Sequence, residues 1–369
     1  MEKQRICIVG DGLSGLTSAI ALNNLPNIEV HLISRKGHQK HDKRTTAISE
    51  SNFNFLKNNF KSLDNKMFWP SKNIGLFYET ATKKINFLNL REDKTNLMYV
   101  FENDKIKNVL LKEIKKRNIK IFNKDIKNLN ELENYELIIL CLGGSSKIYS
   151  KISKGRSIKK DYKEVAITGY VKHKIRKLNT SQFFLKEGPL AILPFSKNNF
   201  SFVWSVNKDF YNFNSKNILK VVKGKVLELL QPSKNITINN IQSYPIRLGL
   251  KSNYHDKNIL ILGEGLHIIH PIAGQGFNLV IRDIKKLKEI LNYYVNLGIS
   301  ISNSYALKDF YNQRKPENTI MGIGVDMTHN FFKKNKYLDP FKKIILENLN
   351  KNDALKKISK MISNQGLSL

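Results

Sequence analysis

Two glycine clusters hold the residues of this chain whose types and spacing can do chemistry. The first, Gly10-Asp11-Gly12-Leu13-Ser14-Gly15, lies between an apolar run (Arg5 to Val9) and a helix-forming stretch (Leu13 to Asn24). Glycines spaced this way after a strand let the backbone approach a pyrophosphate, and the amides at the helix start complement its charge. The pattern points to a dinucleotide when it sits inside a strand-helix-strand unit, which the break at Pro26 and a second strand from Glu29 to Ser34 complete. Gly10, Gly12, Ser14 and Gly15 are therefore candidate phosphate-binding residues.

Such a unit usually carries an acidic residue ~20 positions on, bonded to the ribose hydroxyls. Here that place holds Ser34, followed by Arg35. A serine can bond one hydroxyl, and a Ser-Arg pair also suits a 2′-phosphate, so an NADP-type site stays open beside an FAD-type one. Glu29, at the other end of the strand, is too far back to reach.

The second cluster, GEGLHIIHPIAGQGFNLVIRD from Gly263 to Asp283, follows the apolar run Asn258 to Leu262. A strand ending at Gly263, a glycine- and proline-rich loop and a helix beginning near Gly276 or Phe277 aim a helix N-terminus into an interdomain cleft. A reduced isoalloxazine develops negative charge along its pyrimidine edge, which the amides of Gly276 to Asn278 suit; a nicotinamide does not. Gly274 and Gly276 let a flat ring lie against the backbone. The second cluster therefore points to flavin.

The elements that must position these clusters are read from periodicity. Helical spacing covers Ala47 to Asn59, Lys105 to Arg117 and Leu219 to Leu230, and short strands are expected at Ile119 to Phe122 and Glu136 to Leu142. From Glu164 to Val206, strand-like segments separated by short turns predict a mostly antiparallel second sheet. The fold class expected is α/β, a Rossmann-like FAD-binding domain interleaved with that sheet and followed by C-terminal helices. The expected division is 1-160 and 256-300 for the FAD-binding domain, 161-255 for the substrate sheet, and 301-369 for the helical segment.

Composition narrows the function classes. The 369 residues carry a formal charge of +31, yet only ten of the 62 basic residues are arginine and the lysines are spread from end to end. Phosphate held in bidentate fashion favours arginine, so nucleic acid is not expected as a partner. Dispersed lysine still suits an anionic membrane surface. Cys7 and Cys141 sit in apolar runs and read as reduced core thiols of a cytoplasmic protein. His31 reads as a satisfied core residue, His38 and His41 as exposed loop residues, and His267 as a loop cap; no metal-site spacing appears among the eight histidines. No leader-like N-terminus and no apolar run of the ~18 residues a membrane span needs is visible.

The two clusters and their separation resemble the FAD-dependent aromatic hydroxylases, the class A flavoprotein monooxygenases. His270-Pro271-Ile272-Ala273-Gly274-Gln275-Gly276-Phe277-Asn278, with Leu279, Arg282 and Asp283, is similar to the branch that hydroxylates ubiquinone precursors. The stretch His41 to Ser49, the pair Glu102-Asn103 and the run Gly188 to Pro194 fit that branch as well, and the similarity covers roughly residues 1 to 330. The resemblance implies an FAD reduced by NAD(P)H that reacts with O2 to a flavin hydroperoxide and hydroxylates a phenolic ring. It also implies a polyprenylated phenol as substrate, partners in a ubiquinone-biosynthesis complex, and peripheral attachment at the inner membrane. Carried over by position, Gly10, Gly12, Ser14, Gly15, Ser34, Arg44, Glu264, Gly274, Gln275, Gly276, Phe277 and Asn278 would bind FAD, and His270 and Pro271 would line the face where oxygen reacts.

Three positions depart from the family pattern: Ser34, Glu264 in place of an aspartate, and Gly143 in a Gly-Gly pair where an Asp-Gly is expected. They keep open an alternative, a catalytically weak flavin-fold accessory subunit of the same biosynthetic complex. In the C-terminal segment, Phe331, Phe332, Tyr337 and Phe341 beside their lysines offer a docking surface, with a domain-closing helix as the other reading.

Overall fold

The computed structural model describes residues 3-35, 41-80, 83-144, 146-152, 155-230, 236-333, 339-349 and 352-366. In chain order the first part contains β1 (Gln4–Val9), α1 (Leu13–Leu22), β2 (Ile28–Ser34), β3 (Thr45–Ser49), α2 (Glu50–Asn59), β4 (Trp69–Ser71), β5 (Asn73–Glu79), β6 (Lys84–Arg91), β7 (Met98–Glu102), α3 (Asn103–Lys116), β8 (Lys120–Asn123), β9 (Leu137–Leu140) and α4 (Tyr149–Ile152). There follow β10 (Ile158–Lys172), β11 (Thr180–Phe184), β12 (Pro189–Ser196), β13 (Asn199–Asn207), α5 (Lys208–Asn214), α6 (Ile218–Leu230) and β14 (Thr237–Leu250). The last part has β15 (His255–Asp256), β16 (Ile259–Ile261), β17 (His267–Ile268), α7 (Gly276–Asn296), α8 (Ser304–Phe332), α9 (Asp339–Leu349) and α10 (Asp353–Gln365).

The first sheet runs β15-β16-β9-β1-β2-β8. β1 pairs parallel with β2 and β9, and β16 pairs parallel with β9 through Ile259 and Ile138. The chain thus leaves this sheet after β9 and returns to it at β16, directly before the second glycine cluster. Strands covered on both faces read as unbroken apolar runs, which is why RICIVG, LIIL and NILIL look alike in the sequence. Their side chains join α1, α7 and α8 in one core that contains Cys7, Leu16, Leu140, Leu260 and Leu287. Burial pushes both thiols up to about 12, so Cys7 and Cys141 stay protonated and inert.

The second sheet runs β17-β14-β10-β13-β12-β11-β5-β6 and is antiparallel throughout except for the parallel pair β5 and β11. Its hairpin β5-β6 comes from residues 73-91, inside the expected first unit of 1-160, so the large sheet recruits strands from both sides of that boundary. β3, β4 and β7 form a small third sheet. The helix expected from Ala47 therefore begins later: Thr45, Thr46 and Ile48, β-branched residues, pair with β7, and Ser49 then caps α2 by accepting the amide of Asn52. Pro316 sits inside the 29-residue α8.

Phe331 and Phe332, expected on a docking surface, pack inward. Phe332 stacks on Phe184 with ring centroids 3.5 Å apart, in a cluster with Phe87 and Leu346. Tyr337 and His38 lie outside the described residues. No helix among the described residues is long and apolar enough to cross a membrane.

Candidate functional site

Both glycine clusters open onto one cavity of about 1710 Å³. Gly12 and Ser14 border it at the N-terminal turn, Glu264 and the residues from Gly274 to Asn278 border it at the second cluster, and the inner face of the large sheet closes its far side.

The glycines fall into two groups. A Cβ on Gly10, whose φ is +121°, would stand 2.2 Å from the Cys141 carbonyl oxygen, and one on Gly15 would stand 1.9 Å from the Gly10 carbonyl oxygen. These two let β1, β9 and α1 pack closely. A Cβ on Gly12 or Gly276 would meet nothing within 4 Å; their open sides face the cavity.

The helix starts differ as well. α2 and α8 carry side-chain caps from Ser49 and Asn303, whereas α1, α3 and α7 begin without a side-chain cap, and α1 and α7 are the two that start at the glycine clusters. First-turn amides have no intrahelical acceptor, so α1 and α7 present theirs, with the positive end of each helix dipole, toward the same cavity. Two uncapped helix starts beside two open glycines fit a bound dinucleotide carrying negative charge at two separated places.

Arg44 and Glu264 supply the charged wall. Arg44 donates from Nε to Asp42 Oδ1 at 2.7 Å and from Nη2 to Asp42 Oδ2 at 2.8 Å, and its guanidinium lies 5.2 Å over the Tyr244 ring. That bidentate bond outweighs burial and pushes the Arg44 pKa further up, while the Asp42 carboxyl, though burial opposes its charge, is held below its ordinary range by Arg44 and Asn103. The Glu264 side chain is exposed at the cavity wall, within electrostatic reach of Arg44. Asn278 turns its side chain the other way: Oδ1 accepts from the Ser49 amide at 2.9 Å and from Asn52 Nδ2 at 2.7 Å, and Nδ2 donates to the carbonyls of Ala47 and Gly274, both at 3.1 Å. It fastens the start of α7 to β3 and α2, and only its backbone remains for a ligand.

Two expected site residues differ from their expected roles. Ser34 ends β2, where its carbonyl accepts the Lys124 amide at 3.0 Å, and it lies outside the cavity lining. Pro271 borders the cavity as expected, and so does His270, but the His270 side chain is fully buried with both ring nitrogens engaged: Nδ1 accepts the Ile272 amide at 3.2 Å and Nε2 meets Glu164 Oε2 at 3.2 Å. Its imidazole has no free nitrogen for proton transfer at the cavity, and burial lowers its pKa despite Glu164. His267 does more than cap a loop. Its Nε2 lies 2.7 Å from the fully buried Asp283, which also accepts from Arg314 Nε at 2.6 Å and Asn318 Nδ2 at 3.0 Å. His31, as expected, is a satisfied core residue bonded to Tyr135 and Glu29.

One cluster has no local signature in the sequence: Glu164 on β10, His270 in the loop and His329 on α8. Their ligand atoms lie within 4.8 Å of one another, a spacing that would admit a metal ion. The partners of the two imidazoles do not suit one. A ligating imidazole donates its other N–H to an acceptor, but the other nitrogen of His270 faces an amide donor, and His329 Nδ1 has no partner among the described residues. The three side chains are arranged instead as two imidazole donors on one carboxylate. Burial works against the Glu164 charge, yet the bonds from His270 and His329 bring its pKa down to about 2.

Solved monooxygenases and flavin-dependent halogenases share this fold. The p-nitrophenol 4-monooxygenase PnpA of Pseudomonas putida superposes with a TM-score of 0.79 over 98% of both chains at 12% identity, and the flavin-dependent brominase Bmp2 with 0.72 over 97% of this chain and 92% of its own. A squalene epoxidase family model matches residues 201–362. By sequence the chain is similar to the hydroxylases of ubiquinone biosynthesis. It is 25% identical to the mitochondrial ubiquinone biosynthesis monooxygenase COQ6 of Dictyostelium discoideum, over 89% of this chain and 84% of that protein. It is 30% identical to the ubiquinone hydroxylase UbiL of Rhodospirillum rubrum, over 38% of this chain and 33% of that protein. The fold and these relationships make the cofactor a flavin.

Proposed function

We propose that the chain is an FAD-dependent monooxygenase that hydroxylates the aromatic ring of a polyprenylated phenol in ubiquinone biosynthesis, with NADH or NADPH as reductant. One observation carries this reading: a single cavity joins the two uncapped helix starts to an apolar end lined by Leu76, Phe87, Leu90, Phe184, Phe332 and Leu349. The charged and glycine-lined end takes the cofactor, and the apolar end takes a hydrocarbon-tailed ring.

The Gly12 to Ser14 turn with the first amides of α1 binds the pyrophosphate, Glu264 accepts from the ribityl hydroxyls, and the Gly276 to Asn278 amides hold the pyrimidine edge of the ring. Arg44, braced by Asp42, sets the positive charge of the wall. Bound FAD supplies the redox chemistry that activates oxygen. One oxygen atom enters a ring C–H bond as a hydroxyl and the other leaves as water, using a hydride from the nicotinamide, which carries two electrons, and one further proton. Pro271 and the phenylalanines of the large sheet orient the ring and exclude water from it.

The substrate's tail would be drawn from a membrane, and the outer face suits peripheral attachment at an anionic surface. Ile320, Ile323 and Met327 are exposed along α8, and Lys356, Lys357 and Lys360 of α10 border the cavity. Purified protein should be yellow, and a prenylated phenol should stimulate its NAD(P)H oxidation and gain one oxygen by mass. A colourless protein that takes up no FAD defeats the reading. The position of Ser34 outside the cavity favours a second one, a flavin-fold accessory subunit of the same complex; retained FAD without stimulated turnover, together with binding to partner hydroxylases, would select it.

A further inference from the structure

Three segments far apart in the sequence meet at one carboxylate. Glu164 belongs to the large sheet, His270 to the loop that leads into α7, and His329 to the last turn of α8. His270 Nε2 stands 3.2 Å from Glu164 Oε2, and His329 Nε2 stands 2.9 and 3.1 Å from the two carboxylate oxygens. The Tyr162 ring meets both imidazoles edge-on, at 5.1 and 4.8 Å between centroids, and closes the cluster.

The tautomer of His270 follows from its neighbours. Because the Ile272 amide donates to Nδ1, that nitrogen carries a lone pair. The neutral ring must then hold its proton on Nε2, where Glu164 accepts it. The same ring therefore ties the His270 to Ile272 turn to itself through one nitrogen and to the large sheet through the other.

We propose that Glu164, supported by His329, is a positioning residue that fixes His270 as its Nε2–H tautomer and thereby holds the Pro271 to Gly274 turn where α7 can present its first amides to the flavin. This rests on the flavin reading above. Without the carboxylate, a buried Nε2–H has no acceptor, and a ring protonated on Nδ1 instead releases the Ile272 amide and loosens the turn. His329 completes the arrangement, because a buried carboxylate needs more than one donor to stay ionised. The node also ties the flavin loop to α8, so this helix and the large sheet share one anchor on the cofactor side.

The test compares wild type with Glu164→Gln and His329→Gln. A neutral glutamine carbonyl accepts more weakly than the carboxylate, and its amide group adds donors beside an Nε2–H that already points at the same place. In ¹⁵N-histidine NMR of the flavin-free protein, His270 should be wholly the Nε2–H tautomer in wild type and a mixture in Glu164→Gln. The FAD dissociation constant should rise about tenfold in Glu164→Gln and about threefold in His329→Gln, about 1.4 and 0.65 kcal/mol by the usual conversion. A wild-type His270 protonated on Nδ1, or an unchanged tautomer in Glu164→Gln, overturns the proposal. So does a changed tautomer with unchanged FAD affinity, which would cut the link from the cluster to the turn. If Glu164→Gln fails to fold, His329→Gln carries the same readouts. A wild type that binds no FAD defeats the flavin reading instead, while the tautomer measurement still decides the positioning of His270.

Discussion

The two glycine clusters each use one residue type against two constraints, close packing and an open side toward the cavity, but they are held in place differently. At the N-terminal turn, Gly10 and Gly15 are required by the protein's own backbone, which leaves no room for a Cβ, and Gly12 alone faces open space. At the second cluster, Gly263 and Gly265 are packed against Ser14, Ile261 and Tyr149, Gly276 faces open space, and the polar residues behind it, Asp283, His267, Arg314 and Asn318, are locked in a buried network. The N-terminal motif is thus mainly a packing device with one ligand-facing position. The second motif is a ligand-facing loop anchored from behind by charge. Damage to the packing or the anchor should cost the fold, and damage to the open positions should cost only the ligand.

The largest effect is expected at the anchor. Arg314→Met leaves Asp283 ionised and buried without its cation, which should destabilise the protein by about 3–5 kcal/mol, read from the midpoint of urea unfolding. Burial opposes the Asp283 charge, but Arg314 and His267 hold its carboxyl below the ordinary range. A depressed folded pKa contributes stability that is present above the ordinary carboxylate value, ~4, and is lost as pH falls through the folded one. Wild type should therefore lose stability on acidification below that range, and the variant should lose less. Equal acid sensitivity in the two would show that Asp283 is not the anchor.

Next comes the packing glycine. Gly15→Ala puts a methyl group 1.9 Å from the Gly10 carbonyl, an overpacking that should cost about 1–3 kcal/mol or more. Thermal unfolding in the absence of FAD checks it, and an unchanged midpoint would place Gly15 among the ligand-facing glycines.

How much of this was legible follows the range of the interactions. The strand-turn-helix at Gly10 and the helix start at Gly276 are local patterns, and β1, α1, α3, α6 and α7 appear where periodicity puts them. The return of NILIL to the first sheet was visible because a doubly covered strand is apolar on both faces. β3 was hidden under a helical reading, although Thr45, Thr46 and Ile48 favour a strand and Ser49 with Asn52 marks the true helix start. The β5-β6 hairpin carries its strand signal locally, in NIGLFYE and KINFLNLR. The Glu164, His270 and His329 node was not legible at all. His329 lies 165 residues from Glu164, and no single segment hints at the others. Ser34 misled for a related reason: its place at the end of β2 is fixed by pairing, but where the cavity runs depends on strands and helices hundreds of residues away.

The third prediction isolates the open side of the comparison. Gly276→Val adds a side chain that meets nothing of the protein within 4 Å of its Cβ, so stability without FAD should change by less than ~0.7 kcal/mol, the scale of helix propensity for ordinary residues. FAD retention should be abolished, because the added methyl groups occupy the space where the ring would approach the α7 amides. Loss of cooperative unfolding would move Gly276 into the packing class, and full retention of yellow colour would remove the helix start from the flavin site.

The smallest effect is expected at Glu264, where the comparison is sharpest because the carboxylate is exposed at the cavity wall. Glu264→Asp keeps the charge and withdraws it by one methylene, without touching the packing glycines or the Asp283 anchor. If the carboxylate serves only the ribityl hydroxyls, the shorter acid should bind FAD as tightly as wild type or within about threefold tighter, a change worth at most ~0.65 kcal/mol, with no change in unfolding midpoint. Fluorescence titration of the flavin-free protein with FAD measures it. A clear loss of affinity would mean that the Gly263 to Gly265 turn is shaped around the longer acid, and would place Glu264 among the residues that define the loop rather than those that merely face the ligand.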